Sequence, residues 1–101
     1  MPVFKSLVHT LTHSHTVVSS YLFWSDAGNF TYHIPGKIER ADMDGNNRIA
    51  IVTRNIGTPM SIIVDNPTGL GSRIYWTDSF HGSIETADLN GKNRYNLISK
   101  F

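Results

Sequence analysis

The sequence predicts an all-β chain of antiparallel four-stranded blades, about two of them, forming part of a β-propeller behind an irregular or short-helical N-terminal segment. Two observations carry this. The first is an internal repeat. Leu22-Phe23-Trp24-Ser25-Asp26 returns as Ile74-Tyr75-Trp76-Thr77-Asp78, and Lys37-Ile38-Glu39-Arg40-Ala41-Asp42-Met43-Asp44-Gly45-Asn46-Asn47-Arg48 returns as Ser83-Ile84-Glu85-Thr86-Ala87-Asp88-Leu89-Asn90-Gly91-Lys92-Asn93-Arg94. The second is β chemistry: short runs of β-branched and aromatic residues, bounded by Gly, Asn, Asp and Pro. A repeat of roughly 40–50 residues that carries four strands is the propeller pattern.

Each element follows in order. Strands are expected near 20–26, 37–43, 48–53, 60–65, 73–78, 82–88 and 93–99. Asp44-Gly45 and Asn90-Gly91 mark hairpins, because these residue types accept positive φ at little cost. Pro59 and Pro67 flank the Ser61–Asp65 strand, where a missing N–H does least harm. Gly45 and Gly91 lie 46 residues apart but Trp24 and Trp76 lie 52 apart, so the first copy holds six extra residues between Asp26 and Lys37. Length variation at one point marks a loop. Three segments result: 1–20 outside the repeat, 21–56 as a first copy without a clear leading strand, and 57–101 as a second copy led by Met60–Asp65. In the first segment Val3, Phe4, Leu7, Val8 and Leu11 fall at helix-like spacing. As a secretory leader it is poor, since His9, His13 and His15 interrupt its apolar stretch.

Bulk properties exclude several classes. The 101 residues fit at most one ordinary domain, with 40% apolar and 17% charged residues. A net charge of +1 argues against nucleic acid or a membrane surface as partner. With no cysteine there is neither a disulfide framework nor a thiolate metal site. No apolar run approaches the ~20 residues of a membrane-spanning helix, so direct membrane insertion is not expected. Phosphate-loop, zinc-protease and nucleophile-elbow motifs are also missing, so no catalytic residue, metal or cofactor is expected.

The repeated residues read as scaffold. Phe23, Trp24, Tyr75 and Trp76 read as blade-to-blade core rather than a ligand-stacking platform, since bulky aromatics dominate cores. Asp26 and Asp78 recur at equivalent positions, whereas an active site needs its residues once. Each is expected to accept backbone N–H groups and fix a loop. Glu39 with Arg48, and Glu85 with Arg94, read as charge pairs on adjacent strands. Asn29-Phe30-Thr31 is an N-glycosylation triplet inside the inserted loop, while Pro67 disqualifies Asn66-Pro67-Thr68. His13-Ser14-His15 lacks a third metal ligand. His33 and His81 fall in corresponding loops and are candidate pH-sensing residues.

At Tyr75-Trp76-Thr77-Asp78 the chain resembles the class B repeats of the low-density-lipoprotein receptor family, also called Tyr-Trp-Thr-Asp (YWTD) repeats. Phe23-Trp24-Ser25-Asp26 is a mild variant of the same string. Ile38-Glu39-Arg40-Ala41 and Ile84-Glu85-Thr86-Ala87 resemble the family's Ile-Glu-Arg-Ala run. Asp44-Gly45-Asn46-Asn47-Arg48 and Asn90-Gly91-Lys92-Asn93-Arg94 resemble its turn. The match runs over 21–99; Thr58-Pro59-Met60 departs from it by lacking the family's Trp and Gly. The resemblance implies a six-bladed propeller flanked by epidermal-growth-factor-like modules, in the extracellular part of an endocytic or signalling receptor that binds protein ligands. A basement-membrane structural propeller is the alternative, and a calcium-dependent propeller hydrolase a more distant one. Two blades of six would leave sheet faces uncovered, so the isolated chain is expected to be marginal or prone to association.

Overall fold

The computed structural model describes residues 5–13, 18–29, 31–65 and 72–99, with side chains from Tyr21 onward. Its described residues form two four-stranded antiparallel sheets. The first runs β1 (Lys5–His13), β2 (Val18–Asp26), β3 (Lys37–Asp42) and β4 (Ile49–Val52). The second runs β5 (Pro59–Asp65), β6 (Arg73–Asp78), β7 (Ser83–Asp88) and β8 (Tyr95–Ser99). In each, neighbours in sequence are neighbours in the sheet.

The repeat in sequence is a repeat in register. Trp24 pairs with Glu39 as Trp76 pairs with Glu85, and Asp26 pairs with Lys37 as Asp78 pairs with Ser83. Even the irregularity recurs, a register shift at Ile38/Glu39 and again at Ile84/Glu85. A register shift of this kind bends and twists a strand at a fixed point.

The N-terminal segment differs from the expected short helix. Lys5–His13 is a strand, paired with β2 from Lys5↔Asp26 to His13↔Val18. It supplies the leading strand that the first copy lacked on paper. The helix-like apolar spacing is overridden because β2 has an edge to be paired, and a segment containing Val8, Thr10 and Thr12 suits a strand. His13 ends β1, whereas Ser14 and His15 lie outside the described residues, as does Pro67.

The two sheets share one core. Strands β1 and β2 both lie against β5. Phe23, Ile38 and Val52 from the first sheet, with Ile56 from the link that follows it, meet Ile62, Ile74, Trp76 and Ala87 from the second. Each large side chain buried here contributes about 1.5–3 kcal/mol. Period-two alternation decides which residues take part. In β6, Ile74, Trp76 and Asp78 turn inward and are buried, while Tyr75 and Thr77 turn to the other face. In β2 it is Phe23 and Ser25 that are buried, and Trp24 turns away.

The β3–β4 and β7–β8 connections are six-residue turns rather than tight hairpins. Gly45 (φ 87°) and Asn47 (φ 56°) are matched by Gly91 (φ 81°) and Asn93 (φ 52°). The side-chain amides of Asn47 and Asn93 donate to Asp42 and Asp88 at 2.6 and 3.0 Å. Gly91 has a second constraint: a Cβ there would lie 2.0 Å from the Ile51 carbonyl oxygen of the first sheet. A Cβ on Gly45 would meet nothing within 4 Å.

The two glycines therefore separate strain from packing. Gly45→Ala and Gly91→Ala each place a side chain at positive φ, costing about 1–2 kcal/mol. Only Gly91→Ala also pushes the sheets apart, so its urea midpoint is expected to fall clearly further. Equal midpoints for the two variants would contradict the inter-sheet contact.

Candidate functional site

The signature residues assemble into two structural units per repeat. The first is a Trp–Glu–Arg stack. In the first sheet Arg48 grips Glu39 with Nε and Nη2, both at 2.9 Å, and the Trp24 indole donates to the same carboxylate at 3.0 Å. The Arg48 guanidinium sits 5.5 Å over the Trp24 ring. The hydrogen bonds from Arg48, opposed by burial and assisted by Lys37 and Trp24, hold Glu39 below the usual carboxylate pKa.

In the second sheet the stack turns outward to its neighbour. Arg94 donates to Glu85 at 2.7 Å and lies 5.4 Å over the Trp76 ring. Its other nitrogens donate to main-chain carbonyls of the link that follows the first sheet, Nη2 to Asn55 at 2.7 Å and Nη1 to Arg54. Arg40 spans the boundary in the other direction, donating to the Leu89 carbonyl and to Asn90 Oδ1, both at 2.8 Å. The buried Trp76 indole N–H has no acceptor among the described residues, and Glu85 instead takes a bond from Ser83.

The second unit is the strand-end aspartate. Asp78 is fully buried and accepts from the N–H groups of Gly57 (2.7 Å), Thr58 (3.0 Å), Phe80 (3.1 Å) and His81 (3.1 Å). His81 Nδ1 adds a contact at 3.0 Å. One carboxylate thus ties the link between the sheets to the β6–β7 loop. Asp26 makes the local half of this pattern, accepting from Gly28 at 2.9 Å. Asp78, His81 and Glu85 bring ligand atoms within 4.8 Å of one another, as a metal site would. Their lone pairs, however, are already directed at these N–H groups and at Arg94, so the donor set suits a structural knot.

The remaining signature residues serve the sheets. Ile38 is buried and Ile84 half-buried, Ser25 Oγ reaches the Met60 carbonyl at 3.5 Å, and Thr77 Oγ1 accepts from Ser61 at 3.3 Å. His33 and His81 are not brought together: they line different clefts, and His81 is turned to Asp78.

The surface that looks able to hold something is built by the insertion. Asn29 and Ile34 exchange main-chain bonds at 2.8 and 2.9 Å, and Asn29 Oδ1 accepts from the Tyr32 N–H at 3.3 Å. This closed loop leaves Tyr32 and Ile34 exposed, as Phe80 is in the β6–β7 loop. Ile34 and Phe80 share an open cleft of about 230 Å³ lined by Ala27, His33, Ile34, Pro35, Ile56, Gly57, Thr58 and Phe80. Tyr32, Ile34 and Phe80 were not singled out from sequence. The available signal was an insertion rich in aromatic and aliphatic residues, where a solvated loop would be polar.

Such sheets, registers and signature units define a propeller repeat module. The low-density lipoprotein receptor repeat class B family matches residues 20–66 and 72–100, and the chain belongs to that family. Among curated relatives, protein cueball of Drosophila yakuba is 38% identical over 61 residues, covering 60% of this chain and 8% of that protein. The Drosophila willistoni protein cueball is 40% identical over 45 residues, covering 45% of this chain and 6% of the relative. The chain thus spans under a tenth of the length of these relatives. A solved chain from a nidogen/laminin complex superposes with a TM-score of 0.74 at 27% identity, covering 96% of this chain and 31% of that one.

Asp78 yields a pH prediction. Burial alone would raise its pKa, but the Gly57, Thr58 and His81 N–H groups and the His81 charge together outweigh burial and lower it. A lowered folded-state pKa means stability present above the unfolded value of about 3.9 and lost as pH falls through the folded value. Asp78→Asn is expected to cost about 1–3 kcal/mol at neutral pH, because an amide cannot accept all these N–H groups. It should also flatten the acid limb of the stability–pH curve. Parallel curves for variant and wild type would exclude that role.

Proposed function

We propose that this chain is part of a non-enzymatic extracellular module, a class B propeller segment of a receptor that holds a protein ligand on its loop face. The observation that carries the reading is the pair of exposed apolar side chains, Ile34 and Phe80, that line one cleft between two loops. An apolar, aromatic patch raised on loops above a rigid scaffold is how binding surfaces are commonly made. A role without catalysis is supported by the signature carboxylates, which are spent on N–H groups and arginines. Ligands would reach it as proteins rather than nucleic acid, in keeping with the near-neutral charge. Adjacent blades and epidermal-growth-factor-like modules of the parent protein are its expected covalent neighbours.

A second reading, a structural propeller of the extracellular matrix, is favoured by the solved neighbour, which comes from a nidogen/laminin complex. Laminin is therefore one probe for the loop face. Extracellular proteins from conditioned medium, offered to the immobilised chain, are the other.

Ile34→Asp combined with Phe80→Asp alters only exposed side chains. It should weaken whatever the wild-type chain retains by at least about tenfold, the cost of removing an apolar anchor. If laminin is bound with that dependence, the matrix reading holds; if another extracellular protein is, the receptor reading holds. Identical retention by both chains would remove the loop face from consideration.

Asn29 belongs to the same proposal. Its Oδ1 is engaged with Tyr32, which leaves the amide nitrogen, the atom that carries an N-glycan, outside that bond. Secreted material is expected to lose mass at the Asn29 peptide on enzymatic removal of N-glycans, and an unmodified peptide would reject occupancy of Asn29.

A further inference from the structure

We infer that Asn90-Gly91 is a deamidation site that the contact between the two sheets holds unreactive, so that its reaction marks separation of the sheets and then blocks their return. The chemistry is intramolecular. The Gly91 main-chain nitrogen attacks Asn90 Cγ and gives up its proton to solvent base. The new C–N bond closes a succinimide ring as the Cγ–Nδ2 bond breaks and ammonia leaves. Water then opens the ring at either of its carbonyls. Opening at Cγ gives aspartate. Opening at the main-chain carbonyl gives isoaspartate, whose backbone runs through the side chain and is longer by an atom.

Asn90 is the one asparagine of the sequence followed by glycine, the residue with no Cβ to crowd the attacking nitrogen. It is exposed, so water and base can reach it. The fold nevertheless restrains each reacting group. The Gly91 N–H donates to the Asp88 carbonyl at 3.0 Å. Asn90 Oδ1 accepts from Arg40 of the first sheet at 2.8 Å, while the Asn90 N–H donates to Asp88 Oδ1 at 2.8 Å. Gly91 is held at φ 81° against the Ile51 carbonyl oxygen, which would lie 2.0 Å from a Cβ there. Arg40 and Ile51 both belong to the first sheet, so separating the sheets releases both restraints.

The same contact sorts the products. An aspartate at position 90 keeps an acceptor for Arg40, and the first repeat already carries Asp44 at that place, accepting the Asn46 N–H at 2.9 Å. Isoaspartate instead lengthens a turn that is closed from within, where Asp88 also accepts the Lys92 N–H at 2.9 Å, and pressed on Ile51 from without. The longer turn has no room under the first sheet.

Trypsin cuts after Arg73 and Lys92, and the peptide Ile74–Lys92 contains no other asparagine, so its mass reads Asn90 alone. In mildly alkaline buffer the chain is expected to deamidate at least about tenfold more slowly than in urea, the weight of one hydrogen bond to a charged group. Equal rates, or no mass gain in urea, would overturn the inference. Arg40→Leu should react faster than wild type in buffer. Gly45→Ala, which strains the other turn and leaves Asn90 alone, is its control. Compared at urea concentrations that unfold the same fraction of each, Arg40→Leu should still be the faster. Equal rates there, or a slower Arg40→Leu, would refute the restraint by Arg40.

The products give an independent measurement. After reaction in urea and removal of the urea, the aspartate form should refold and the isoaspartate form should not. Asn90→Asp, which has the carboxylate without the added atom, should keep a urea midpoint near that of wild type. Refolding of the isoaspartate form, or failure of Asn90→Asp to fold, would overturn the block.

Discussion

A four-stranded sheet has two faces, and in this chain neither can be covered by the sheet that owns it. Every distinctive feature of the structure depends on that constraint. Period-two alternation sends Phe23, Ser25 and Ile38 to one side and Trp24 and Glu39 to the other. Burial then follows from whether a neighbour is present, not from residue type. Trp76 is buried and Trp24 half-buried, although they occupy the same place in the repeat. Phe23 is buried and Tyr75 half-buried for the same reason, with the sides exchanged. Repeat proteins derive their stability from such nearest-neighbour contacts.

Polar contacts at the boundary show the same logic. Arginine is placed where its fork can take a carboxylate on its own sheet and reach carbonyls of the link between the sheets. Arg94 does both. A cation is also kept where β2 and β3, or β6 and β7, begin to diverge, but it changes strand between repeats. In the first sheet Arg40 lies 4.7 Å over the Tyr21 ring. In the second, Arg73 occupies the place of Tyr21, donates to Thr86 at 2.9 Å and stacks on Tyr95 at 4.9 Å. The apparent loss of arginine at Thr86 is thus a relocation within one sheet, although its price is the contact across the boundary.

Much of this was legible in the sequence because the repeat was. Two aligned copies give the strands, the β2–β3 and β6–β7 registers and the turn positions together, since a shift of one residue would reverse every face. What escaped was whatever the repeat does not mark. β1 carries no signature string, and its apolar spacing suits a helix as well as a strand, so only the unpaired edge of β2 decides it. The clasp from Arg94 ends on main-chain carbonyls of Arg54 and Asn55, and a carbonyl has no identity in a sequence. The apolar patch was hidden differently. Ile34 and Phe80 come from two loops, 46 residues apart in sequence, and only the fold makes them neighbours of one cleft.

That separation points to how one scaffold carries a varied surface. The β7–β8 turn is fixed at both levels: Asp88 accepts the Asn90 and Lys92 N–H groups inside it, and Gly91 presses on Ile51 outside it. Any residue added there would move the neighbouring sheet. The β2–β3 and β6–β7 loops are anchored at their bases, where Asp26 accepts the Gly28 N–H and Asp78 those of Phe80 and His81. Beyond those anchors the chain can lengthen without touching the core, and it is here that the first repeat holds its six extra residues. The aspartate that ends each signature string therefore does more than close a strand. It isolates the loop from the sheet, so that the face built by Ile34 and Phe80 can differ from repeat to repeat while the stack of sheets beneath it stays the same.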